Sequence, residues 1–218
     1  MKAIPFLFSL LLLTACVQVN YVNDVIPITQ KHLTIAILPP QTSIERKIWM
    51  SDEKYAELTT DKQLHLQSKL IKSFEKRMNI GECFVAILDQ PTTNSVALLD
   101  GLQPNPASPA SLCRQLHVDA VIQSTIDIRE PVSEATAFLF QRSTGTNLVT
   151  NSMTLNARLI DTLNAQPLWS LSASKFGYLG SIKSVIENKI IRRTTRNTPY
   201  NLKKNPYKKL YVKYTQGF

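Results

Sequence analysis

Cysteine is scarce: three in 218 residues. That excludes a disulfide-dense scaffold and a multi-zinc module. Six glycines leave little for a phosphate-cradling loop. The sequence contains no G-x-S-x-G, no G-x-x-x-x-G-K-[ST] and no H-E-x-x-H. His32, His65 and His117 are scattered. Catalysis needs a nucleophile with its base and orienting group, or a metal cluster. Neither is present as a motif, so the expectation is a protein that is not an enzyme and uses no metal or cofactor. No apolar run reaches the ~20 residues a spanning helix needs. Acid is missing from one region: residues 188–218 carry nine of the 25 basic residues and none of the 16 acidic ones.

Hydrophobic residues make up 44% and charged residues 19% of the chain. That suffices for a real core and argues against disorder. The net charge is +9, while residues 1–187 balance 16 basic against 16 acidic side chains. The body is neutral and the excess is C-terminal.

Lys2 precedes an apolar run from Ile4 to Leu13 that ends in Leu13-Thr14-Ala15-Cys16. Its length is that of a signal-peptide core. The ending looks like a bacterial lipobox. A peptidase fits the small side chains before the cut, and the Cys16 thiol takes a diacylglyceryl group. Residues 1–15 are then a signal peptide and Cys16 the lipidated, membrane-anchoring residue. Val17 follows where Asp would retain a lipoprotein in the inner membrane. By resemblance to enterobacterial lipoproteins, this favours the outer membrane. Residues 16–31 read as a lipidated N-terminus and tether, with a reach of at most ~50 Å.

Periodicity then predicts an α/β domain over residues 32–194. His32–Leu38 is a β-branched run closed by Pro39-Pro40. Thr60-Asp61-Lys62-Gln63 resembles a capping box. The helix it opens places Leu64, Leu66, Leu70, Ile71, Phe74 and Met78 on one broad face, with Gly81 as its stop. Cys83–Leu88 is a second strand. Ser108-Pro109 opens a helix, and Asp119–Ile128 is a third strand. Ala135–Gln141 reads as a fourth, followed by a polar turn over Arg142–Thr150. Met153–Leu159 and Trp169–Ala173 alternate as half-buried strands. Ile182, Val185, Ile186 and Ile190 space as a final helix. The order β-α-β-α-β-β-β-β-α implies a single domain with a mixed sheet. Residues 195–218 read as a basic, Tyr-rich tail.

Three segments carry a resemblance: TIAILPP (34–40), LHVDAVIQSTI (116–126) and LNARLIDTLNAQPLWSLSAS (155–174). They resemble strands of bacterial outer-membrane lipoproteins that share the fold of the TolB N-terminal domain. That group includes the curli channel CsgG and the synthase activator LpoB. The resemblance implies a TolB N-terminal-domain-like fold and a periplasm-facing accessory role in envelope biogenesis or secretion, with an envelope protein as partner. Oligomers occur within such a group. Its pore-forming members insert long hairpins, and this chain has no alternating apolar-out strands to spare. The family's "K-T-G-E" turn is replaced here by Leu163-Asn164-Ala165-Gln166.

Several residues are candidates for function, each with a blander alternative. Cys83 and Cys113 would pair in an oxidising periplasm if adjacent; otherwise they are two small buried hydrophobes. Arg192, Arg193, Arg196, Lys203, Lys204, Lys208, Lys209 and Lys213 interleave with aromatics. In a cytosolic protein that mixture would suggest RNA. Export excludes nucleic acid as the partner and leaves anionic lipid, glycan or acidic protein, or else a solvated tail. Trp49 lies in a polar stretch and either packs over the sheet edge or forms a docking patch. Trp169, Leu171 and Ile122 are assigned to the core.

Overall fold

The computed structural model describes residues 17–99, 103–104, 107–162 and 167–202. The chain runs β1 (Val17–Tyr21), α1 (Val25–Thr29), β2 (Thr34–Ile37), β3 (Gln41–Ile44) and α2 (Asp52–Asn79). It continues β4 (Ala86–Ile87), α3 (Gln90–Ala97), β5 (Leu98–Leu99), β6 (Gln103–Pro104) and α4 (Pro109–Gln115). It closes with β7 (Ala120–Arg129), α5 (Glu134–Thr144), β8 (Val149–Asp161), β9 (Trp169–Tyr178) and α6 (Lys183–Arg196).

Seven strands form one mixed sheet in the order β1-β9-β8-β7-β2-β4, with β3 also on β7. β2 and β3 pair in parallel with successive halves of β7. They are one line of strand broken at Pro39-Pro40, because proline offers no N–H to a ladder. β7, β8, β9 and β1 each run antiparallel to the next. This is the expected single α/β mixed-sheet domain.

Alternation sorts the sheet residues onto two faces. Ile35, Ile37, Ala120, Ile122, Leu155 and Trp169 face α2 and α6 in the larger core. Ala36, Val121 and Ile160 face α3 and α4 in a smaller one. α2 contributes Leu66, Leu70, Ile71 and Phe74 to the larger core. Each such burial stabilises by about 1.5–3 kcal/mol. Gly81 ends the helix region at φ +67°, a conformation glycine adopts at little cost.

Four expectations change. First, α2 begins eight residues before Thr60. Ser51 caps it by accepting from the Lys54 N–H at 3.2 Å, and Asp52 and Glu53 suit its positive end. Its first turns bury little, so the apolar stripe starts late. Second, Ala135–Gln141 is not a strand but the body of α5. Ser133 caps it, and Gly145 at φ 72° closes it. Third, residues 17–31 are not a free tether. β1 pairs residue for residue with β9, and Val25 and Ile26 of α1 are buried. The alternation in Val17–Tyr21 is that of a half-buried edge strand. Fourth, the domain does not end at 194. Thr195, Thr198, Tyr200 and Asn201 are buried, and Asn201 bridges to Cys83.

Candidate functional surfaces

Cys16 lies outside the described residues, as do Lys203, Lys204, Lys208, Lys209, Lys213 and the Leu163–Gln166 turn. Arg192, Arg193 and Arg196 occupy the C-terminal half of α6. α2 and α6 run side by side in the same direction, so Arg192 and Arg196 sit beside Arg77 near the end of α2. Arg77 donates to Glu82 at 2.7 Å and to the Thr195 hydroxyl at 3.0 Å. Burial lowers its proton affinity; Glu82 opposes this, and Arg196 and Arg192 add to it. One end of the helix pair is therefore a basic cluster.

The two thiols proposed to pair are apart. Cys83 belongs to the larger core and Cys113 to the smaller, on opposite faces of the sheet. Both are buried and free. Burial pushes the Cys113 thiol up to about 11. These are the small buried hydrophobes of the alternative reading.

At the other end of the helix pair lies a groove of about 420 Å³. Its walls are the loop after β3, the start of α2, the β7 and β8 ends and the start of α6. Ile44, Met50, Leu58 and Ile186 make it mainly apolar. Trp49 stands at its rim, 78% exposed, next to a fully exposed Ile48. Trp49 does not pack over the sheet edge. The Lys47 amine lies 5.5 Å from its ring centre, a cation–π contact.

Glu187 closes the groove floor. Its carboxylate is bound by Lys62 and, at 2.8 Å, by Lys69, with the His65 Nε2 at 4.0 Å. Burial works to raise the Glu187 carboxyl, but the hydrogen bonds from Lys62 and Lys69 outweigh it and hold it below its usual range. His65 is exposed on α2. Asn151 also lines the groove, and its Oδ1 is buried without a partner. Sequence reading missed this cluster. Its trace was the Lys62–Lys69 spacing of seven, which puts both amines on one stripe of α2.

A third surface is the uncovered half of the sheet. α3 and α4 cover this face only at one end, over β2, Val121 of β7 and Ile160 of β8. Gln18, Asn20, Gln123, Asn156, Ser170 and Ser172 remain open, lining a shallow hollow of about 430 Å³. Arg158 crosses it and donates to Gln123 Oε1 at 2.8 and 3.0 Å. This surface consists of amides and hydroxyls with one charge.

Among the described residues no group of His, Cys, Asp and Glu is placed to hold a metal. No helix there is long and apolar enough to cross a membrane.

No family model and no curated protein matches the sequence. Solved structures do match in shape. PelC from Paraburkholderia phytofirmans, crystallised as a dodecamer, superposes with a TM-score of 0.50 at 11% identity, covering 84% of this chain and 96% of that one. Lipoprotein GNA1162 from Neisseria meningitidis gives 0.42 at 13% identity, over 75% and 96%. The LpoB C-terminal domain from Salmonella enterica gives 0.32 at 9% identity, over 66% and 82%. Identities this low speak to fold and not to activity. The PelC likeness establishes a shared fold; the two weaker ones carry no argument.

Proposed function

We propose that this chain is a lipid-anchored accessory protein of a bacterial envelope, held at the outer membrane through Cys16 and facing the periplasm. It acts by recognition and carries out no reaction. The observation that carries this reading is the uncovered half of the sheet. A flat field of amides and hydroxyls from β1, β9, β8 and β7 offers paired donors and acceptors without desolvating many charges. The lipobox-like ending at Cys16 supplies the anchor. A partner envelope protein, or further copies of this chain, would dock on that field. PelC, which shares the fold, is a dodecamer.

The test is photo-crosslinking in intact cells, with the probe at Asn156 or Ser172. A discrete envelope protein or a self-adduct supports the reading and names the pathway. Absence of any protein adduct overturns it. Fatty-acid incorporation that disappears in Cys16→Ser checks the anchor.

A second reading rests on the basic cluster of Arg77, Arg192 and Arg196, with five further lysines following in sequence after residue 202. That cluster suits an anionic glycan, lipid headgroup or acidic protein. A probe at Arg192 that captures lipid or glycan, with Ser172 silent, would favour this binding-module reading. A secretion-pore subunit is the weakest alternative. β8 and β9 are both consumed by the sheet, and a native-size measurement in detergent separates it.

A further inference from the structure

Thirteen large hydrophobic side chains are exposed among the described residues, and they are not scattered. Nine lie at one end of the sheet. Register defines that end: Ile44 pairs with Ile128, Arg129 with Ser152, and Val149 with Tyr178. Ile48 and Trp49 extend from it after β3, and Phe176 and Tyr178 close β9 on it. Ile182 and Val185 begin α6 there. α5 joins β7 to β8 across it and buries only Ala137, leaving Phe138, Leu139 and Phe140 exposed. The other four exposed residues, Val22, Leu33, Ile80 and Phe84, lie toward the opposite end.

We infer that this end is a bilayer-contacting face, with Trp49 and α5 lying in the interfacial layer of the membrane that anchors Cys16. The inference rests on the proposed lipidation for its choice of occupant. β1 runs antiparallel to β9, and Val17 sits opposite Ala173. The Val17 end of β1 therefore points toward Tyr178 and the apolar end. Five residues separate Ala173 from Tyr178, ~17 Å along a strand. Cys16 immediately precedes Val17 in sequence, and Val17–Tyr21 and Val25–Thr29 are held in β1 and α1. With these segments in the fold, a lipidated Cys16 keeps the domain close to the membrane. An apolar end beside a short anchor meets lipid before it meets a protein.

The chemistry of the end fits that neighbour. Tryptophan, tyrosine and phenylalanine suit the headgroup boundary, where a ring is half apolar and half wet. α5 has eleven residues, ~16 Å of helix. It is too short to span and is suited to lie in the plane of the interface. Lys47, Arg142 and Lys175 border the patch, where anionic headgroups would meet them. The Arg77–Arg192–Arg196 cluster lies at the far end of α6, which is ~21 Å long. In this orientation it points into the periplasm, toward an acidic partner and away from the bilayer.

Trp49 is a built-in probe, because the only other tryptophan, Trp169, is fully buried. The full chain, purified from bacterial membranes, is placed in vesicles of phosphatidylethanolamine and phosphatidylglycerol carrying brominated acyl chains. The expected result is a blue shift and strong quenching of Trp49, absent in Trp49→Phe. A Trp49→Phe, Leu33→Trp chain reports the opposite end and stays unquenched. The pair Phe138→Ser and Leu139→Ser in a Cys16→Ser chain lowers vesicle affinity about tenfold or more relative to Cys16→Ser alone. Unquenched Trp49 on a chain whose mass shows the acyl group overturns the inference and leaves the anchor standing. A chain without acyl mass overturns the anchor; Trp49 quenching in that chain, mixed with the same vesicles, still decides the face. Equal quenching at residues 33 and 49 also overturns it.

Discussion

The His32 Nδ1 and the Tyr200 hydroxyl lie 2.7 Å apart, although 168 residues separate them. His32 leads into β2, and Tyr200 follows α6. Both are buried, and the Phe84 ring meets Tyr200 edge-on at 5.6 Å. This contact ties the first parallel strand to a segment that composition alone assigns to a solvated tail. Tyr200→Phe removes only the hydroxyl and is expected to cost about 1 kcal/mol. Tyr200→Ala also opens a cavity and should cost about 3–5 kcal/mol. Urea unfolding at neutral pH measures both. A Tyr200→Ala chain as stable as the wild type would show that residues after α6 do not belong to the domain.

The same pair makes stability depend on pH. Burial lowers the His32 proton affinity below its ordinary 6.5, with Asp161 and Asp119 opposing. The unfolded chain therefore binds the proton more readily than the folded one. The stability due to a neutral His32 is fully present above 6.5 and is lost as pH falls below it. His32→Gln removes this titration. The wild type should lose stability faster than His32→Gln between neutral pH and pH 5, read from urea midpoints across that range. Parallel midpoints would mean that His32 takes up its proton without cost.

Glu187 titrates at lower pH. Its folded value lies below the ordinary 4.5, because Lys62 and Lys69 stabilise the charged form more than burial opposes it. Its contribution is complete above 4.5 and disappears as pH falls through the depressed folded value. Glu187→Gln leaves two amines facing an uncharged amide. The expected loss is about 1–3 kcal/mol at pH 7, moderated because both lysines are partly exposed. The difference from wild type should shrink toward zero at strongly acidic pH. A constant difference would assign the effect to packing.

Strands with clean alternation were legible in the sequence. Met153–Leu159 and Trp169–Ala173 fall in β8 and β9, and Leu66–Phe74 packs as its spacing demands. α5 was not legible, because Ala135–Phe140 is apolar but for Thr136, and over so short a run period cannot separate strand from helix. The caps Ser133 and Gly145 were the available signal. β1 was missed because an edge strand of five residues has a pattern too short to stand above a linker. The Glu187 cluster joins residues more than a hundred positions apart, which only the parallel packing of α2 and α6 brings together.

Burial also governs the thiols. Cys83 and Cys113 are enclosed in separate cores, and burial raises both thiols above their ordinary value. The thiolate is the reactive form. In a Cys16→Ser chain, a thiol reagent at neutral pH should label neither residue while the protein is folded, and both once it is unfolded without reductant. Labelling of neither in the unfolded chain would instead reveal a bond between them and require the sheet to rearrange.

Gly177 in β9 is required by space. A Cβ there would sit 2.2 Å from Asn151 Oδ1 and 2.5 Å from Ile186 Cδ1. Asn151 stands at the irregularity between β8 and β9, and its Oδ1 has no partner. Its amide reaches the Thr150 hydroxyl and the Ser181 carbonyl only at 3.3 and 3.4 Å. Gly177→Ala therefore forces either the amide or the start of α6 to move, at about 1–3 kcal/mol. Asn151→Ala removes the nearer obstacle and should recover part of that loss, so the two changes are coupled by more than ~0.5 kcal/mol. The Ile186 methyl still obstructs, so recovery is incomplete. Urea unfolding of both single variants and the double variant closes the cycle. Strict additivity would mean that Gly177 is limited by α6 alone and that the asparagine is free to swing into the groove.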